Sequence, residues 1–290
     1  MSDQNAMETG GGTAVMSENS SANLGLTGGS GPLLQEPDEA TLERIFALKY
    51  GAEDQLGWGP RLRRDYGYFN PDDWYEAFLA GTVAPGMRWL DVGCGRDLFP
   101  SNVELASSLS ARVGKLAGLD PDETLQENPF VHEKIERGID GFDGGEAFDL
   151  VTLRMVAEHI DNPQECAQAI ERSLAPGGLC IIYTVFGYSP MPLLTRAAPM
   201  SLRHVVKKWL WNTEEKDTFP TRFRMNTRGK LRQLMRGVGL REEFFVRLDD
   251  CRTFSRFRWM CELELRARSF FRLLRMPYPE HCVLGVYRKS

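Results

Sequence analysis

The residues whose types and spacing could do chemistry begin at Asp91. The run Trp89-Leu90-Asp91-Val92-Gly93-Cys94-Gly95 is an apolar strand passing straight into a glycine turn. Gly93 and Gly95 allow a tight turn and let a ligand lie against the backbone. Such a ligand would sit at the carboxyl end of the first strand, the crevice that open α/β sheets use. Asp91, ahead of the turn, repels a pyrophosphate and suits a ligand bearing an ammonium group. The dinucleotide fingerprint G-x-G-x-x-G needs a third glycine for helix packing, and Leu98 stands there instead. Further on, Gly118-Leu119-Asp120-Pro121-Asp122 ends a second strand. An acid at that strand end can accept hydrogen bonds from both ribose hydroxyls of an adenosine. Ile139-Asp140 falls where an apolar side chain and an acid could hold the adenine face and its amine. The order and spacing of these signals favour S-adenosylmethionine over a dinucleotide.

The elements that must position these residues alternate between strand and helix. MRWLDV, KLAGLD, a short strand ending at Ile139-Asp140, AFDLVTL and LAPGGLCIIYTV read as strands one to five. LFPSNVELASSLS and PQECAQAIERSL read as helices. Strands separated by helices predict a parallel sheet covered on both faces. TRGKLRQLMRGVGL then reads as a helix closed by Gly239, and REEFFVRL and HCVLGVYRK as the last two strands. Upstream, residues 1–37 are rich in Gly, Ser, Asn and Thr, with no Lys or Arg before Arg44. Such a stretch buries too little apolar surface to offset its ordering entropy and reads as a disordered tail. A helix opens at Asp38-Glu39-Ala40, and Asn70 and Pro71 suit the cap and first residue of a helix from Pro71 to Ala80. Residues 38–86 are therefore expected to form a helical lid on a domain spanning 87–290.

DVGCG, GLDPD, AFDLVTLRMVAEHIDNPQ and LAPGGLCIIYTV resemble, in that order, the serial motifs of class I S-adenosylmethionine-dependent methyltransferases. The resemblance runs from Met87 to Val185. It is similar to the broad group whose fourth strand leads into Leu-Glu-His at a helix start, here Ala157-Glu158-His159. It implies a Rossmann-like α/β fold with a seven-stranded, mostly parallel sheet in the order 3-2-1-4-5-7-6 and helices on both faces. It implies S-adenosylmethionine as cofactor, with Asp91, Gly93 and Gly95 at the methionine end. Asp120 would bind the ribose hydroxyls with Pro121 packing nearby, Ile139 and Asp140 would flank the adenine, and Arg154 would line the floor of the site. Many members carry a third glycine where this chain has Asp97, which bears on the shape of the turn but leaves the ligand-facing glycines in place.

Methyl transfer is an in-line displacement at a carbon activated by the sulfonium, so the protein must chiefly align the acceptor and exclude water. A base helps where the acceptor is a hydroxyl. His159 is the candidate, and its alternative role is to cap or pack the helix start. Some O-methyltransferases of quinone biosynthesis resemble this region and hold a metal on two acids and the His. Met155 stands where one of those acids would be, so no metal is expected. Leu153-Arg154-Met155-Val156 replaces the Asn/Asp-Pro-Pro-aromatic turn of adenine and glutamine methyltransferases, and no Pro-Cys dipeptide offers a cytosine nucleophile. The expected acceptor is a small or glycan-like molecule, methylated at oxygen. Trp58, Tyr66 and Tyr68 could close over cofactor and acceptor, or cover the sheet. Within an acceptor-side insertion at 186–224, His204, Lys207, Lys208, Trp209, Trp211, Arg222 and Arg224 could hold an anionic or sugar-like acceptor, or form a solvated face.

Residues 252–275 read as one long Arg-rich helix. Trp259, Met260, Leu263, Ala267, Phe270, Phe271 and Leu274 share a face, with Arg252, Arg256, Arg258, Arg266, Arg268, Arg272 and Arg275 around it. The apolar face is expected to pack on the protein. A peripheral membrane helix or a partner-docking helix is the alternative, and the latter would suit a non-catalytic interaction module. The 40 acidic and 35 basic residues give a net charge of −5, which argues against a whole-chain nucleic-acid binder. No apolar run reaches bilayer length, no basic-then-apolar leader is present, and six scattered cysteines lack zinc spacing. Reduced thiols in the cytoplasm are the expectation.

Overall fold

The computed structural model of the protein describes residues 34–197 and 220–290. The tail expected over 1–37 lies almost wholly outside the described residues, as do His204, Lys207, Lys208, Trp209 and Trp211. Helix α1 (Glu39–Tyr50) opens where Asp38 accepts the Thr41 N–H at 2.8 Å. It is followed by α2 (Trp58–Asp65) and α3 (Pro71–Thr82). Asn70 and Asp73 cap α3 reciprocally, each side chain accepting the other's backbone N–H. Lys49 of α1, only 4% exposed, lies 3.1 Å from Asp73 and 2.7 Å from Glu76. Asn102 donates to the other oxygen of Glu76 at 2.8 Å, which ties α3 to the start of α4 (Val103–Arg112).

The strands are β1 (Arg88–Val92), β2 (Lys115–Asp120), β3 (Glu133–Glu136), β4 (Phe148–Arg154), β5 (Leu174–Val185), β6 (Leu240–Asp249) and β7 (His281–Lys289). They form one sheet in the order β3-β2-β1-β4-β5-β7-β6. β7 runs antiparallel to both β5 and β6, and the other pairings are parallel. This is the Rossmann-like order expected from the sequence. β6 therefore points the same way as β5, and Asp249 ends on the same sheet edge as Val92, Arg154 and Val185.

Successive strand residues point to opposite faces, and here both faces are covered, which is why the strands are continuous apolar runs. Trp89, Leu116, Leu150 and Ile181 pack in one core with residues of α1, α3 and α4. Leu90, Ala117, Val151 and Ile182 pack in a second with α5 (Pro163–Ser173) and α7 (Arg228–Gly237). A short helix, α6 (Pro190–Ala197), follows β5. All six cysteines are buried and unpaired.

Two elements differ from the sequence reading. The third strand is Glu133–Glu136, and Ile139-Asp140 lies beyond it in a turn. An edge strand of four mostly polar residues leaves no apolar run to read. The segment expected to be helical from 252 to 275 turns irregularly through Phe257, and helix α8 spans Arg258–Leu273. Its apolar stripe does not pack inward. Cys261, Glu264 and Leu265 face the protein, while Trp259, Leu263, Phe270 and Leu273 are 69%, 61%, 58% and 80% exposed. The inward polar groups have specific partners, which offsets their desolvation. Arg268 donates to Asp249 at 3.0 Å and lies over the Tyr68 ring, and Glu264 accepts the Phe254 N–H at 3.3 Å. No helix among the described residues is long and apolar enough to cross a membrane.

Candidate cofactor and acceptor site

The parallel register of β1 and β4 sets Asp91 opposite Thr152. Thr152 Oγ1 donates to Asp91 Oδ1 at 2.5 Å and accepts the indole N–H of Trp89 at 2.6 Å. Burial pushes the Asp91 carboxyl up to about 7, against the Thr152 hydrogen bond and the charge of Arg154, with Asp120 adding to the rise. A carboxyl poised there gains charge when a cationic group arrives beside it. An ammonium group is such a cation.

Beyond Asp91 the chain turns through Gly93 at φ +70° and Gly95 at φ +49°. A Cβ on Gly93 would lie 2.2 Å from Val156 Cγ2, so that position excludes any side chain, and its backbone is exposed. The Gly95 N–H donates to Asp120 Oδ2 and the Asp122 N–H donates to Asp120 Oδ1, both at 2.9 Å. Asn128 donates to the Gly95 carbonyl at 3.0 Å. Asp120 thus joins the ends of β1 and β2, and each of its oxygens keeps a lone pair for a further donor. Two hydroxyls on adjacent carbons match that capacity. The donor set therefore fits S-adenosylmethionine; Asp120 would face the ribose and the glycine turn the methionine part. Pro121 and Asp140 are exposed, whereas Ile139 is buried in the second core. Burial, then Glu165 and Asp161, raises the pKa of Asp140.

The same sheet face continues into a polar group that the sequence reading did not assemble. Arg154 lies two residues past Thr152 and pairs in register with Tyr183 of β5. Tyr183 donates its hydroxyl to Asp72 Oδ1 at 3.0 Å, and its ring stacks on Tyr75 at 4.9 Å. The Tyr75 hydroxyl also lies close to Thr152. Helix α3 thus lowers Asp72 and Tyr75 over the carboxyl edge of the sheet. Arg252, just after β6, pairs with Asp72 and grips Asp250 in a bidentate contact at 2.7 Å on both oxygens. Burial alone would raise the pKa of Asp72, but Arg252, Arg154 and Lys49 outweigh it and hold the carboxyl below its ordinary value. Met155 takes a left-handed φ of +55°, fixed by its N–H donating to the Tyr183 carbonyl at 2.8 Å. Strained residues of this kind cluster at functional sites.

Other expected site residues lie elsewhere. Tyr68 is buried under α8, donating to the Asp249 carbonyl at 3.0 Å and accepting the Cys251 N–H at 2.9 Å. Tyr66 accepts from Arg266, and Trp58 lines a small cavity with Arg61, Leu62 and Arg258. These three support α8 and are not brought together with Asp91 and Asp120. The signal that was missed is spacing: Asp72 and Tyr75 are three apart on α3 and so share a face. Ala157-Glu158-His159 forms a turn, and α5 starts later at Pro163 behind the cap Asn162. Glu158 is buried, accepting from Thr184 at 2.6 Å, and burial raises its pKa. Its carbonyl accepts the N–H groups of Arg222 and Phe223. His159 is partly buried, with Nδ1 3.2 Å from the Pro220 carbonyl. Among the described residues no three His, Cys, Asp or Glu side chains gather as metal ligands.

The strand order, the glycine turn and the acid at the end of β2 define a class I methyltransferase site. A family model described as a methyltransferase domain matches residues 63–242. The chain belongs to this family of S-adenosylmethionine-dependent methyltransferases. It is 31% identical over 116 residues to a ubiquinone biosynthesis O-methyltransferase of Caulobacter sp. (strain K31), covering 36% of this chain and 43% of that protein. It is 27% identical over 161 residues to the protein of the same name from Psychrobacter cryohalolentis, covering 50% of this chain and 55% of that one. The chain spans about half the length of the curated relatives it matches. Among solved structures, an S-adenosylmethionine-dependent methyltransferase from Mesorhizobium loti aligns with a TM-score of 0.46 at 18% identity, over 71% of this chain and 93% of that one.

Proposed function

We propose that this enzyme methylates an oxygen of a small-molecule acceptor. The observation that carries the reading is the continuity of one sheet face. The cofactor-side pair Asp91 and Thr152 runs without a break into Arg154, Tyr75 and Asp72. An acceptor placed at that edge meets the Arg154 cation and the Asp72 carboxylate, which the buried phenol of Tyr183 holds in place, a set suited to orienting a polar small molecule. The names of the Caulobacter and Psychrobacter relatives support oxygen as the methylated atom. S-adenosylmethionine supplies the electrophilic methyl group when bound, and the chain's own residues align the acceptor and take its proton. His159 is the base in this reading. Its Nδ1 faces a carbonyl, which only accepts, so the neutral ring carries its proton on Nδ1 and its lone pair on Nε2.

The test is S-adenosylhomocysteine formation with a panel of phenols, alcohols and amines. Turnover of hydroxyl acceptors is expected, and turnover of amines alone would overturn the reading. His159→Gln is expected to lower kcat by about 100-fold while S-adenosylhomocysteine binding stays unchanged. A loss below about threefold would remove His159 from the chemistry.

A further inference from the structure

Helix α8 is amphipathic the wrong way round for a helix that only packs on its own protein. Trp259, Leu263, Phe270 and Leu274 follow one helical stripe, diametrically opposite the inward residues Cys261 and Leu265. Leu273 widens the stripe in the last turn and Met276 extends it beyond, at 80% and 49% exposure. Contiguous apolar surface of this kind on a water-exposed helix marks an interaction face.

The charge around it is one-sided. The chain as a whole is acidic, yet from Arg256 to Arg275 six arginines face two glutamates, Glu262 and Glu264, and Glu264 is turned inward. At the C-terminal end of the helix a cavity of about 590 Å³ is lined by Arg247, Arg272 and Arg275, together with Phe245, Tyr278 and the acids Glu36 and Asp249. Among the described residues no carboxylate lies within ion-pair distance of those three arginines. Burial, then the neighbouring charge of Arg268, lowers the pKa of Arg272, and the charge of Asp249 only partly opposes them. An apolar stripe with a cationic margin complements an acidic phospholipid surface.

We propose that α8 docks the protein on a bilayer of acidic phospholipid, with the Trp259–Leu274 stripe entering the acyl boundary and the exposed Arg258, Arg266 and Arg275 beside it meeting the headgroup phosphates. The placement is productive. α8 leaves the end of β6 that lies on the ligand edge of the sheet, and Arg252 at its root pairs with Asp72 over the acceptor site. The docking face therefore borders the opening through which an acceptor arrives.

The test is co-sedimentation of the full chain with phosphatidylcholine vesicles, with and without phosphatidylglycerol. Partitioning onto the acidic vesicles is expected to be at least about tenfold stronger and to fall with added salt. Phe270→Glu with Leu273→Glu, and separately Arg258→Glu with Arg275→Glu, are each expected to lower it about tenfold. S-adenosylhomocysteine binding and Tm should be unchanged in both, which separates lost docking from lost folding and from failure of the methyltransferase site. Absence of binding to acidic vesicles, or binding that both pairs leave intact, overturns the proposal. A dimer that Phe270→Glu with Leu273→Glu dissociates, with no vesicle binding, also overturns it and gives the face to a second copy of the chain.

Discussion

Replacing Asp120 by alanine is expected to raise the Kd for S-adenosylhomocysteine by about 100-fold or more, read by calorimetric titration. A hydrogen bond to a charged acceptor contributes about 1.5–3 kcal/mol, and the proposed ribose contact has two. The same carboxylate also fixes the Gly95 and Asp122 N–H groups, so its loss loosens the glycine turn as well. Asp120→Asn keeps an accepting oxygen and should fall between the two. An unchanged Kd in the alanine variant would sink the role given to Asp120. A folded wild-type protein that binds no cofactor would leave an interaction module as the better account.

The second large effect is structural. Arg252→Met removes the guanidinium shared by Asp72 and Asp250 and leaves two acids facing each other. Breaking a buried ion pair from one side costs about 3–5 kcal/mol, and partial exposure of Arg252 brings this to about 2–4 kcal/mol. Thermal unfolding should then begin roughly 5–12 °C lower. The pH dependence has a definite sign. Asp72 has a depressed pKa in the folded chain, so its contribution is complete above the unfolded value of about 3.9. That contribution is lost as pH falls through the lower folded value. The variant should therefore lose the part of the acid sensitivity that Asp72 supplies, and the Tm gap between variant and wild type should narrow on acidification. A constant gap from neutrality to strong acid would show that Arg252 stabilises by packing alone.

The strands were legible because covered sheets need apolar runs. KLAGLD occupies β2 residue for residue, and AFDLVTL and HCVLGVYRK predict β4 and β7 to within a residue or so. Strand order was legible only through the family resemblance, since periodicity carries no information about which strands are neighbours. The proposed cofactor side of the site was legible because one short turn contains most of it, and the proposed acceptor side was not. Asp72, Tyr75, Tyr183 and Arg252 come from α3, β5 and the loop after β6, far apart in sequence. The inverted face of α8 was illegible for a related reason. Hydrophobic period locates a stripe, but the side that turns inward depends on tertiary partners such as Asp249 for Arg268. Trp58, Tyr66 and Tyr68 read equally as a lid over the site or a cover for the sheet, because aromatics gather at sites and cores alike, and here they support a helix.

The six buried cysteines carry a consequence for how the protein endures oxidants. Burial pushes every one of these thiols above its ordinary pKa. Oxidants and alkylating agents attack the thiolate, so the native chain offers them almost no target. Cys94 lies inside the glycine turn, Cys180 in the central sheet, Cys251 beneath α8 and Cys261 on the inner face of that helix. Damage at any of them requires that part of the molecule to open first. The lifetime of the enzyme under oxidative stress is thereby set by the rate of opening rather than by the reactivity of sulfur.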